Sequence, residues 1–190
     1  MANELTITDK IFARTILPFI PAWVTPNSIT WFRFITIPFV AYLFVTEQYL
    51  FGLILFFFSS FSDAIDGSLA RTRGQITEWG MKYDPLADKF LIGTAAFILV
   101  SRFLSPYLAA TIIGIEFFIV ASAYYRKRSQ GIPIQAEFSG KVKMALQSFG
   151  IGALLVAVTF QLPSFVAIAA YLLYLAIVFA IISLVVYKSI

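Results

Sequence analysis

Four aspartates stand in a stretch whose neighbours are almost all apolar: Asp63, Asp66, Asp84 and Asp88, within DAIDGSLARTRGQITEWGMKYDPLAD. A carboxylate is costly to place in such surroundings, so a cluster of them marks a site with a cationic partner. Asp63, Asp66, Gly67, Ala70 and Arg71 fall on one face of a helix. Gly80, Asp84 and Asp88 step by four and share a face of the next. Folding the two helices together at the turn between Arg73 and Trp79 predicts that the carboxylates converge. Hard oxygen donors on helices suit Mg2+ or Mn2+, which bind through a few carboxylates and substrate phosphates.

The elements that must position these residues are membrane helices. Hydrophobic residues make up 60% of the 190-residue chain, and Phe alone occurs 21 times. Soluble domains hold roughly 45–50%. There is no cysteine and no histidine. Disulfides, thiol chemistry and Cys- or His-based metal sites are therefore excluded, and acid–base work falls to carboxylates, Lys or Tyr. The chain reads as all-α, with six transmembrane helices near Ser28–Thr46, Tyr49–Thr72, Tyr83–Phe103, Pro106–Arg126, Lys141–Phe160 and Ser164–Tyr187. Thr25-Pro26-Asn27 suits the start of the first, and Pro85 is expected in the first turn of the third.

Residues 1–26 read as an amphipathic segment, with Lys10 and Arg14 on one side and Ile7, Ile11, Phe12, Ile16 and Leu17 mostly on another. We expect a short helix on the membrane surface there, not a cleavable signal peptide. Residues 27–190 form the transmembrane domain. Basic residues gather in alternate connections: Arg71, Arg73 and Lys82 after the second segment, and Arg126, Lys127, Arg128, Lys141 and Lys143 after the fourth. By the positive-inside rule, the aspartates and both termini face the cytoplasm. The expected location is a cell (inner, cytoplasmic) membrane. Glu116, a lone acid in an apolar helix, is expected to face the bundle interior and pair with a basic or hydroxyl side chain.

The stretch D-x2-D-G-x2-A-R-x8-G-x3-D-x3-D resembles the signature of the CDP-alcohol phosphatidyltransferases, and all eight fixed positions are met. The resemblance implies transfer of a phosphatidyl group from CDP-diacylglycerol to an alcohol, with release of CMP. It implies a pair of Mg2+ or Mn2+ ions on Asp63, Asp66, Asp84 and Asp88, with Asp88 also the general base. It implies nucleotide binding by Asp66, Gly67, Ala70, Arg71 and Gly80, with Arg71 on a phosphate or on the motif's aspartates. It implies a homodimer as well, and no nucleic-acid partner.

Pro26-Asn27-x-x-Thr30-x-x-Arg33, Asp84–Lys89 and Gly140-Lys141-x-Lys143 are similar to the branch of the family that makes phosphatidylglycerophosphate. The acceptor implied is glycerol 3-phosphate, with Arg126, Lys141 and Lys143 as candidates for its phosphate. That branch carries an Arg-Glu pair in the fourth segment, where this chain has Ile115 and Glu116, and an Arg two turns on, where it has Ala123. Other acceptors are phosphatidylglycerol, giving cardiolipin, or an inositol phosphate. Outside this chemistry, Gly67, Ala70 and Gly80 could serve helix packing alone. The aspartates could also serve a divalent-cation carrier, which predicts ion flux without nucleotide dependence.

Overall fold

The computed structural model describes residues 7–130 and 138–188, and the side chains of residues 9–122 and 139–184. Every regular element among them is helical. They are α1 Ile7–Thr15, α2 Pro26–Val45, α3 Tyr49–Arg73, α4 Glu78–Ala95, α5 Ser101–Phe103, α6 Pro106–Gln130, α7 Phe138–Phe160 and α8 Pro163–Lys188. A single 3-10 turn covers Leu17–Phe19, and Ala96–Val100 winds more widely, with i to i+5 bonding. The chain divides into two compact units, residues 1–94 and 95–190.

In the first unit, local chemistry sets the helix ends. Thr25 caps α2: its Oγ1 accepts from the Ser28 backbone N–H at 3.2 Å, and Pro26 follows in the first turn. Gly74, at φ 65°, closes α3 in the left-handed region, where a glycine carries no penalty. Thr77 caps α4, accepting at 2.9 Å from the backbone N–H of Gly80. This cap moves the start of α4 to Glu78, ahead of the Tyr83 start expected from apolar pattern. Pro85 therefore lies inside the helix and not in its first turn, and its ring nitrogen donates no bond there.

Helix α3 packs on α1 and α2. Polar side chains turn inward: Thr30, Arg33, Thr36, Ser59, Ser62, Asp66 and Ser68 are buried, and the Thr36 and Ser59 hydroxyls bond at 2.7 Å. Large apolar side chains turn outward, among them Trp31, Phe32, Ile35, Phe39, Phe51, Phe57 and Phe58. That arrangement suits lipid, where helices associate through packing and hydrogen bonds and not by hiding apolar surface from water.

In the second unit α7 packs along α8. Ile151, Leu154, Leu155, Ala169, Leu173, Ala176 and Ala180 are buried. Gly150 permits the close approach, since a Cβ there would sit 2.9 Å from Leu173 Cγ. Lys143 on α7 donates to Glu116 on α6, and both lie beside a small cavity with Gln147. Glu116 thus has the inward-facing basic partner expected of it.

Among the described residues, four helices are long and apolar enough to cross a membrane: Pro26–Val45, Tyr49–Arg73, Ser139–Phe160 and Pro163–Leu184. The apolar part described in α6, Pro106–Ser122, is shorter, and α4 carries Glu78, Lys82, Asp84, Asp88 and Lys89. This is a helical membrane protein.

Candidate active site

The motif residues lie on α3 and α4, and a residue of α2 organises them. Arg33 is wholly buried. Its Nη1 donates to Asp63 Oδ1 at 2.7 Å and its Nη2 to Asp66 Oδ2 at 2.7 Å. Nη1 also reaches the backbone carbonyl of Asp84 at 3.4 Å. One rigid fork thus serves two carboxylates a helical turn apart, a task suited to guanidinium and not to ammonium. Asp66 is buried, whereas the side chain of Asp63 keeps 45% of its surface open. On α4, Asp84 Oδ1 accepts from Thr30 Oγ1 at 2.5 Å, and half-buried Asp88 follows one turn later.

Beside this group lies a cleft of about 270 Å³ lined by Pro26, Asn27, Gly67, Ala70, Arg71, Gln75, Ile76, Thr77, Gly80, Met81 and Asp84. The start of α2 and the start of α4 are joined across it: Thr77 Oγ1 donates to Asn27 Oδ1 at 2.8 Å. Gly80 is buried in the wall, where a Cβ would come within 3.1 Å of Thr77 Oγ1 and 3.3 Å of Asp84 Oδ2. Gly67 and Ala70 line the cleft on the α3 side, with the Arg71 guanidinium lying over Gly67.

The structure brings Asp63, Asp66 and Asp84 around Arg33, and Gly67, Ala70, Arg71, Gly80 and Asp84 around the cleft. Two features of the geometry add to the expected site. Among the described residues, no three acids close into one cluster able to hold an ion. Arg33 pairs with both Asp63 and Asp66 and offsets their mutual repulsion. The donor set nonetheless fits a hard divalent ion. It is all carboxylate oxygen, and Asp63 and Asp84 are not fully enclosed.

The second feature concerns Arg71. Its carboxylate partner is Asp9 on α1, outside the motif: Nε meets Oδ2 at 2.8 Å and Nη2 meets Oδ1 at 2.7 Å. Asp9 gave no sequence signal beyond being an acid in a basic helix. Arg33 did carry one, as a lone cation in an apolar helix with two acids that needed a partner.

Of the acceptor-site candidates, Lys143 is buried against Glu116 and Lys141 is exposed, both in the second unit. The side chain of Arg126 lies outside the described residues.

The sequence model of the CDP-alcohol phosphatidyltransferases matches residues 23–182, taking in all of α2, α3 and α4. The chain belongs to the CDP-alcohol phosphatidyltransferase family. Relatives are found in distant bacteria. A Bacillus subtilis protein named CDP-diacylglycerol–glycerol-3-phosphate 3-phosphatidyltransferase is 34% identical over 140 residues, covering 73% of this chain and 72% of that protein. An Escherichia coli K12 protein of the same name is 35% identical over 140 residues, covering 68% and 75%. One from Rickettsia typhi is 28% identical over 133 residues, covering 68% and 75%. For a CDP-alcohol phosphatidyltransferase the cleft is well made: two helices offer it small residues, an arginine and the carboxylate of Asp84.

Proposed function

We propose that this enzyme transfers a phosphatidyl group from CDP-diacylglycerol to glycerol 3-phosphate, giving phosphatidylglycerophosphate and CMP. The observation that carries the reading is the cleft whose walls hold Gly67, Ala70, Arg71, Gly80 and Asp84, five motif residues from two helices. The names of the bacterial relatives supply the acceptor.

Gly67, Ala70 and Gly80 let the nucleotide lie against backbone, and Arg71 meets a phosphate. Asp63, Asp66, Asp84 and Asp88 would hold a pair of Mg2+ or Mn2+ ions, which when bound offset the charge of the pyrophosphate. Asp88 takes the proton of the acceptor hydroxyl. The hydroxyl oxygen bonds to the lipid-linked phosphorus, and the pyrophosphate bond to CMP breaks. On charge grounds we assign the acceptor's phosphate to Arg126, Lys141 and Lys143.

The same reading places six spans in the bilayer, counting residues 83–103 and α6, with α1 at the interface and the aspartates cytoplasmic. The membrane is then the cell's inner one. A homodimer is part of the same reading, with the small residues of α4 and of α6 as candidates for its interface.

Purified protein in detergent with CDP-diacylglycerol and Mg2+ tests the reading. Glycerol 3-phosphate, phosphatidylglycerol and inositol phosphate are offered in parallel. We expect CMP release with glycerol 3-phosphate. Release only with another acceptor moves the enzyme to another branch, and ion flux without nucleotide dependence in sealed vesicles reconstituted with the protein replaces the reaction altogether.

A further inference from the structure

The family match begins at residue 23, yet the motif's arginine is held by a residue before it. Asp9 has a fully buried side chain, and Arg71 covers it from the cleft side with 37% of its own side chain exposed. The contact is side-on: Asp9 takes the Nε and Nη2 edge of the guanidinium. Nη1 is left over Gly67, where a Cβ would stand 3.3 Å from it. Gly67 and Arg71 both line the cleft. A guanidinium has five N–H donors in a fixed plane, so a partner on one edge fixes where the other donors point. An arginine on an exposed helix end would otherwise sample many rotamers and lose that order on meeting a ligand.

We propose that Asp9 is a positioning residue for the nucleotide-activated substrate: by gripping one edge of Arg71 it aims the remaining N–H groups across Gly67 at a phosphate in the cleft. The N-terminal helix thereby takes part in substrate binding without touching substrate. The proposal rests on the reaction proposed above.

The test compares wild type, Asp9→Asn, Asp9→Glu, Arg71→Ala and the Asp9→Asn/Arg71→Ala pair, all full length in detergent with Mg2+. CMP release gives kcat and both KM values, and calorimetry gives the Kd for free CDP. Losing a charge-assisted contact that orders Arg71 should raise KM for CDP-diacylglycerol and Kd for CDP about tenfold in Asp9→Asn. kcat and KM for glycerol 3-phosphate should stay within about twofold, because only nucleotide-side binding is altered. Asp9→Glu keeps the charge and should recover most of the affinity, and it serves as the readout should Asp9→Asn fail to fold. In the Arg71→Ala background Asp9→Asn should change nothing further.

Additive effects in the pair overturn the proposal, as does a loss in kcat with both KM values unchanged. A wild type that releases no CMP with any acceptor sinks the reaction and this proposal together. An active wild type with an unaltered Asp9→Asn sinks this proposal alone.

Discussion

Arg33 Nη2 and Asp66 Oδ2 lie 2.7 Å apart, and both side chains are buried. Such a pair is costly to break from one side, because the charge left behind has no water to turn to. Arg33→Met should therefore destabilise the first unit by about 3–5 kcal/mol. Thermal melting in detergent reads this. Adding Asp66→Asn should restore part of the loss, since the orphaned charge is gone. A single variant that melts with the wild type would show that the pair contributes nothing to the fold.

The carboxylates should reveal a divalent ion through stability as well as activity. A ligand that binds only the folded state adds about 2.7 kcal/mol at a hundred times its Kd. Mg2+ should raise the melting temperature of the wild type, and chelation should abolish both the rise and CMP release. Asp63→Asn should lose the rise. Asp88→Asn should keep more of it and still lose turnover, because its proposed task is to take a proton. Equal loss of the rise in both variants would remove Asp88 from the role of base.

Gly80→Ala places a methyl among Thr77 Oγ1, Asn27 Oδ1 and Asp84 Oδ2, all within 3.3 Å. These atoms tie α2 to α4 at the cleft wall and must shift to admit it. We expect KM for CDP-diacylglycerol to rise about tenfold with a stability loss near 1 kcal/mol. Unchanged kinetics would mean that the wall yields and that nucleotide does not lie against Gly80.

Two glycines on α7 should answer differently to the same change. At Gly150 a Cβ would meet Leu173 Cγ at 2.9 Å and the Ala169 carbonyl at 3.4 Å. Gly150→Ala should destabilise by about 1–3 kcal/mol through overpacking. At Gly152 nothing lies within 4 Å. Gly152→Ala should be neutral or stabilise by up to about 1 kcal/mol, from helix propensity. Melting temperatures of the two variants decide this, and CMP release should change little in the second.

Sequence spacing was enough to put Asp63 with Asp66, and Asp84 with Asp88, on shared helix faces, because a helix repeats every 3.6 residues. The Thr25-Pro26 start of α2 was legible for the same local reason. The start of α4 was not. Charges at Glu78, Lys82 and Asp84 hide its apolar pattern, and its cap depends on a contact from Thr77 to Asn27 across 50 positions. Nor could spacing foresee that Arg33 would stand among the acids, or that Arg71 would turn to Asp9, 62 positions away. Which cation meets which carboxylate is decided by the packing of helices and not by any one of them.

The last turn of α3 also grips the chain a second time. Arg73 donates to the carbonyls of Ile20 at 2.8 Å and Val24 at 3.1 Å. Swapping N-terminal portions between family members at Pro26 would sever both attachments in one cut. A working chimaera must import an acid able to reach Arg71 and a backbone path able to receive Arg73. The segment ahead of the first long helix is thus not a freely exchangeable module.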